Sequence, residues 1–391
     1  MSSVAPDIAF SDLACSEREL ALFDAYCSAH PSLDERFLGR VARLDRGLPL
    51  VCFEKGTARA EHAASVIKSA DSLACVGDWV VLACPEGHDR GLIEDILPRT
   101  ETLVRTDPSE RTGRQVLAAN IDIVFLLHAL SDERVNIRRL EREMVVAYNS
   151  GALPVVVLTK ADLATHLSED LEAVRRAVPG IEVIVESVYD GRGVEEISRL
   201  IAPTKTAVLL GRSGVGKSAL TNALVGGDYQ ATGSVRASDN KGRHTTVSRD
   251  LFVVRGGGVV IDTPGIRAIA LWDVDAGFDS AFPEIAARAA ECRFSDCTHT
   301  DEPGCAVLEA VRLGQIERRR LESYRALRRE VADNAARRAE RARLDARRRG
   351  GTKASGNRNR NTKRRARRER EELRQELDDY RLDDELHDGL S

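Results

Sequence analysis

Aromatic residues supply only 4% of this 391-residue chain, two of them tryptophan. So thin a supply argues against an extended platform of stacked bases, because such platforms are built from aromatic side chains. Long apolar runs are missing too, and none reaches the ~18 residues that a membrane-spanning helix needs. Met1 to Phe10 has neither the basic start nor the apolar core of a secretion signal. A disulfide framework is equally absent. Five of the eight cysteines (Cys15, Cys27, Cys52, Cys75, Cys84) are scattered, a pattern of small buried apolar groups in a reducing compartment. These absences lead to the expectation of a cytoplasmic protein with no membrane partner.

What is present is unevenly distributed. The net charge is −4, yet residues 317–374 carry 23 Lys and Arg against 9 Asp and Glu, and residues 375–391 carry 7 acids against one Arg. A basic block with an acidic tip points to a polyanionic partner for the basic part. The length suggests two to three domains. Residues 1–34 read as a short helical lead-in. Over 35–107 the runs FLGRVARLD, LPLVCFEKG, GDWVVLACP and GLIEDILPR, punctuated by Gly and Pro, predict a small β-barrel. Over 108–272 the texture alternates between apolar strands, such as IDIVFLLHA and PVVVL, and helices, which predicts an α/β domain with a doubly wound parallel sheet. A mostly helical, metal-binding segment follows over 273–316, and an Arg-rich extension over 317–391.

Gly211, Arg212, Ser213, Gly214, Val215, Gly216, Lys217 and Ser218 match the phosphate-loop pattern in full, after the strand TAVLL and before the helical SALTNALV. Glycines let the backbone wrap a phosphate, and loop and helix amides point at it. Lys217 is placed to reach the β- and γ-phosphates, and the Ser218 hydroxyl to ligate Mg²⁺. The alternative, a turn with no ligand, leaves the lysine and serine unexplained.

A phosphate loop does not choose the base. That choice falls to Thr159, Lys160, Ala161 and Asp162, which follow the strand PVVVL and resemble the guanine motif of GTPases. The Asp162 carboxylate can accept hydrogen bonds from guanine N1–H and the N2 amino group; adenine offers neither. Thr159 replaces the usual Asn and so loses a two-point amide. Ser187 and Val188 resemble the loop that reads guanine O6 through a backbone N–H. Downstream, Asp262 opens an Asp-Thr-Pro-Gly motif, with the carboxylate in the Mg²⁺ shell and the Gly265 N–H sensing the γ-phosphate. Thr245 and Thr246 supply the other switch contact. Ile266 stands where many GTPases carry a water-orienting Gln, so His244 is the candidate for that catalytic work. The order is informative. Guanine motifs come before the phosphate loop, the reverse of an ordinary GTPase, which is a circular permutation.

Cys292, Cys297, His299 and Cys305 place three thiolates and an imidazole within fourteen residues. That set matches structural zinc, with no coordination position left open for catalysis.

Together QVLAANIDIVF, TKADL, GRSGVGKS, GRHTT, DTPGIR and CRFSDCTHTDEPGCAV resemble the ribosome small-subunit-dependent GTPase A family, from about Phe37 to Arg312. The resemblance implies an OB-fold barrel, a permuted G domain and a zinc domain. It implies a GTPase, acting as a monomer with Mg²⁺ and one structural zinc, that joins late assembly of the small ribosomal subunit under ribosome stimulation. In that family the His of GRHTT is a proposed catalytic residue, which falls on His244. Ribosomal RNA is the expected partner of the basic extension. The alternative is an RNA-binding module that uses GTP as a switch ligand with negligible hydrolysis, favoured by Ile266.

Overall fold

The computed structural model describes residues 9–31, 35–45, 48–69, 73–84, 90–105, 115–131, 133–201, 203–227, 249–262, 275–337, 339–340 and 343–344. By contacts the chain forms two compact units, Met1–Val331 and Ala332–Ser391. The first opens with α1 (Glu17–Ala29), started by a capping box in which Ser16 and Glu19 satisfy each other's end of the helix. Five strands follow: β1 (Arg36–Asp45), β2 (Leu48–Phe53) and β3 (Gly56–His62), then α2 (Ala64–Ser69), then β4 (Trp79–Ala83) and β5 (Arg90–Ile96). They pair in the order β1-β2-β3-β5-β4, and β4 returns to β1. Only the β3–β5 pairing is parallel. This is the closed five-stranded barrel expected from the sequence, with the connectivity of an OB-fold. Phe37, Val41, Val51, Phe53, Val80, Leu82 and Ile93 fill it. Strand β3 (GTARAEH) is poor in β-branched residues and was not visible as a strand of its own; its neighbours on both sides define it.

A two-stranded ribbon of β6 (Thr102–Arg105) and β7 (Gln115–Ala119) leads into the α/β region: β8 (Ile123–Ala129), α3 (Ile137–Asn149), β9 (Leu153–Thr159), α4 (Leu167–Ala177), β10 (Val183–Val185), α5 (Val194–Ile201), β11 (Thr206–Gly211), α6 (Lys217–Val225), β12 (Arg249–Val253) and β13 (Val259–Asp262). The sheet order is β10-β9-β8-β11-β13-β12, parallel except for β12. Alternation along one strand shows why β8 is apolar throughout. Val124 and Leu126 enter one core cluster, and Ile123, Phe125 and Leu127 enter another on the opposite face. Because every parallel strand ends on the same edge, the loops after β9, β10, β11 and β13 share one rim, and that rim carries the candidate motifs.

The barrel continues into this sheet through β1 and β12, with Arg43 opposite Asp250 in the register and ion-paired to it. Beneath that junction Arg40 is 1% exposed. Its guanidinium donates to the carbonyls of Leu13 and Gly77 and to Thr206 Oγ1 at the start of β11, and lies over the Trp79 ring. One buried cation thus fixes lead-in, barrel and α/β region to each other.

The remaining helices are α7 (Asp275–Ala281), α8 (Pro283–Ala289) and α9 (Ala306–Arg312), followed by a helix that begins at Arg318. Composition groups residues 317–331 with the Arg-rich extension, but they lie in the first unit, and Arg319 and Arg320 are ion-paired within it. Arg320 donates to Glu141 of α3 at 3.0 Å, to Glu284 of α8 at 2.7 Å and to the carbonyls of Ala177 and Ala281. Arg319 and the Ser323 hydroxyl also donate to Glu141, whose carboxylate is fully buried. Among the described residues no helix is long and apolar enough to cross a membrane.

Candidate functional site

Strand β11 ends in the phosphate loop, and Gly211 has no room for a side chain: a Cβ there would stand 2.8 Å from the Leu127 carbonyl. Gly214 and Gly216 take φ values of +80° and +109°, which L side chains rarely adopt. The loop therefore needs its glycines for geometry. Lys217 opens α6 and folds its ammonium back onto the carbonyls of Gly211 and Arg212 at 2.8 and 2.9 Å. Burial lowers its pKa, and the nearby Asp262 carboxylate opposes that shift. Asp262 ends β13 and is 5% exposed. Ser218 occupies the first turn of α6, next to Lys217.

Strand β9, two strands away in the sheet, delivers the candidate guanine motif to the same rim. Thr159 Oγ1 donates to the Val215 carbonyl inside the phosphate loop at 2.6 Å. This bond ties the turn after β9 to the loop after β11. Lys160 has φ +59° and opens a 3-10 turn over Ala161–Leu163, which presents the exposed Asp162. The Ser187 hydroxyl donates to Asp162 Oδ1 at 2.9 Å and fixes the carboxylate's orientation. Val188 is 41% exposed beside it. Thr159, Lys160, Asp162, Ser187 and Val188 thus gather with residues 211–218 and Asp262 along the carboxyl ends of the strands. His244, Thr245, Thr246, Gly265 and Ile266 lie outside the described residues.

The sequence reading missed several groups here. Beside the loop a cavity of about 260 Å³ is lined by Ser213, Gly214 and Val215 and by His128, Arg134 and Arg139. His128 Nε2 lies 2.9 Å from the Glu143 carboxylate, which also accepts from Arg139. Burial and His128 are the principal influences on Glu143, and the net effect is a lowered pKa. Glu186 is buried just beyond β10, and burial, then the charge of Asp162, pushes its carboxyl up to about 7. A polar residue directly after the apolar runs IVFLL and VIV is the signal that the sequence offers for His128 and Glu186.

The second site lies between α8 and α9. The ligand atoms of Cys292, Cys297, His299 and Cys305 all fall within 4.8 Å of one another. The separations are 3.8 Å for Cys292 Sγ to Cys305 Sγ, and 3.6 and 3.5 Å from His299 Nδ1 to Cys292 and Cys305. A tetrahedral ion with Zn–S near 2.3 Å and Zn–N near 2.0–2.1 Å requires edges of about 3.8 and 3.6 Å. The donor set fits one zinc ion. Its loop is organised locally: Glu302 accepts from the backbone N–H groups of Thr298, Thr300 and Asp301. His299 takes φ +57°, and burial lowers the pKa of its imidazole, keeping it neutral for coordination.

Residues 96–272 match a family model described as RsgA GTPase. The small ribosomal subunit biogenesis GTPase RsgA of Streptomyces avermitilis is 45% identical over 319 residues, 80% of this chain and 85% of its own. The protein of the same name from Methanosarcina acetivorans is 43% identical over 252 residues, 64% of this chain and 68% of its own. Among solved structures, YjeQ from Thermotoga maritima superposes with a TM-score of 0.57 at 27% identity, covering 74% of this chain and 96% of that one. YloQ, described as a circularly permuted GTPase, gives 0.56 at 22% identity, covering 78% and 98%, a likeness of fold.

Proposed function

The chain belongs to the RsgA family of GTPases that serve small ribosomal subunit biogenesis, and from that premise we propose that it binds GTP at the β9–β11–β13 rim, docks on the maturing small subunit and hydrolyses GTP under the subunit's stimulation to time its own release. The observation that carries this reading is the bond from Thr159 to Val215. It fastens the turn that would read guanine to the loop that would hold the phosphates, at the two ends of one nucleotide. In this reading Asp162 accepts from guanine N1–H and N2, the Val188 N–H donates to O6, and the Lys160 stem lies along the base. Residues 211–218 cradle the phosphates, and the Lys217 ammonium leaves the loop carbonyls for the β- and γ-oxygens. Ser218, Asp262 and one of Thr245 and Thr246 would hold Mg²⁺, which neutralises charge on the phosphate oxygens. His244 orients the attacking water where Ile266 cannot, and the Gly265 N–H senses the γ-phosphate.

Cys292, Cys297, His299 and Cys305 would hold a structural zinc that shapes the α8–α9 loop. The basic extension supplies sequence-independent contacts to ribosomal RNA. Because Arg319 and Arg320 are already engaged with Glu141, this role falls to residues beyond Val331. The protein acts in the cytoplasm as a monomer.

Single-turnover GTP hydrolysis with and without purified small subunits tests the enzyme reading, with faster turnover expected in their presence. Absence of turnover in both conditions would leave a GTP-dependent RNA-binding switch. Asp162→Asn is expected to weaken GDP binding on the order of 100-fold, since two bonds to a charged acceptor are lost, and to move preference toward xanthosine nucleotides. An unchanged preference removes Asp162 from the base site.

A further inference from the structure

Tyr189 is 88% exposed, the highest value among the large apolar side chains of the described residues. The chain has few aromatic residues, and other rings are packed. Trp79 lies against Phe10 and beneath Arg40, Phe37 against Phe53, and Phe278, Phe282 and Tyr324 against one another. Among the described residues the Tyr189 side chain has no hydrogen bond and no ring or cation contact. Single exposed apolar side chains are ordinary on a protein surface. The place of this one is not.

The turn that carries the ring is closed on itself. Ser187 N–H donates to the Arg192 carbonyl at 3.0 Å, Asp190 N–H to Ser187 Oγ at 3.4 Å, and Arg192 N–H to Asp190 Oδ1 at 3.0 Å. It is also stitched to the turn after β9. The Ala161 N–H donates to the Glu186 carbonyl at 2.9 Å, and Ser187 Oγ to Asp162 Oδ1 at 2.9 Å. The backbone on both sides of Tyr189 is therefore held, and two side-chain torsions are left to move the ring. Val188, the residue assigned to guanine O6, immediately precedes it. Consecutive Cα atoms stand about 3.8 Å apart, so a tyrosine there begins one residue from the base edge and is long enough to lie across the base. The Lys160 stem, from the other turn, covers one face only.

We propose that Tyr189 is a base-stacking residue of the nucleotide site: on binding, its ring swings from solvent onto the face of the guanine that the Lys160 stem leaves open. The proposal rests on the reading of Asp162 and Val188 as the base-contacting residues. Stacking takes an aromatic face of each partner out of water. Every base has such a face, so the ring adds affinity without choosing the base. Asp162 makes that choice. Because nothing holds the ring in the free protein, no contact is broken when it closes.

The test is binding of GDP and IDP by the full chain, for wild type and three variants at position 189. Tyr189→Ala is expected to weaken GDP binding about 5- to 150-fold, the range for loss of one base–aromatic stack. IDP, which lacks the N2 amino group, should lose the same factor. Tyr189→Phe keeps the ring and should bind as wild type does. Tyr189→Trp should keep the affinity, and its added emission, read as the difference from wild type, should be quenched when GDP saturates the site. Unchanged GDP affinity in the alanine variant overturns the proposal. If that variant also co-sediments less with small subunits, the ring belongs to a docking surface instead. Should the alanine variant not fold, the tryptophan variant decides, and emission unquenched by saturating GDP overturns the proposal. Failure of the underlying reading looks different: Asp162→Asn would then leave guanine preference intact, whatever happens at position 189.

Discussion

The candidate nucleotide rim and the cysteine–histidine cluster belong to one compact unit but are put together in opposite ways. The cluster draws its four ligands from fourteen consecutive residues, on a loop between two seven-residue helices. The rim draws on the ends of β9, β10, β11 and β13, and its central bond joins residues 56 positions apart. In the rim, side chains buried on both faces of the sheet fix the strand ends first, and the functional groups are placed as a consequence. In the cluster all four donors lie on one short loop, and a bound ion would fasten that loop to the core that Cys305 already enters. The difference separates a site assembled across a sheet from one assembled within a single loop.

The largest expected effect tests that separation directly. Chelation, or Cys297→Ala, removes a clamp of the kind that contributes about 10–16 kcal/mol of apparent folding free energy in zinc-finger peptides. Stoichiometric zinc by elemental analysis should be lost, and limited proteolysis should cut between Cys292 and Cys305. GDP affinity should hold within about 2-fold, as for distant independent sites. Loss of GDP binding along with the zinc would show that the two regions depend on each other.

A smaller effect tests the contact that joins them. Glu141 of α3 is buried and receives Arg319, Arg320 and Ser323 from the helix that begins at Arg318. Glu141→Ala leaves Arg320 buried with one partner gone, a change that typically costs about 3–5 kcal/mol. Denaturant melts should show that loss, with the 318–331 helix released first in hydrogen exchange. A melt within error of wild type would mean that Glu284 and the Ala177 and Ala281 carbonyls satisfy Arg320 by themselves.

The smallest effect lies inside the rim. Thr159→Val keeps the volume and removes the hydroxyl bonded to Val215, at a cost of about 0.5–1.5 kcal/mol. GDP should bind several-fold more weakly with zinc content unchanged. Thr159→Asn, with its longer amide, should recover that affinity. Equal affinities for all three proteins would mean that the bond contributes nothing to nucleotide binding.

How much of this was legible follows the same division. The cluster could be read whole, because ligand identity and spacing are local facts and a loop of that length has few ways to present them. The phosphate loop was legible for the same reason. The candidate guanine motif TKAD carries weight only through its position after a buried strand. Strand β3 was not legible, because its pairing with β2 and β5 substitutes for the propensity that GTARAEH lacks. The arginines at 319 and 320 read as part of a solvated basic block; Glu141, nearly 180 residues away, gives them a buried partner instead.

By itself, the sequence determined the kinds of element, their permuted order, the glycines that shape the loop after β11 and the close grouping of three cysteines with a histidine, all of which depend on residue type and short backbone reach. Only the tertiary structure decided that Thr159 meets Val215, that Ser187 meets Asp162, and that Arg40 locks the barrel onto β11. Those contacts join groups that the chain separates widely. They exist because burial of apolar strands brings the groups into one low-dielectric place, where an unpaired polar atom is costly.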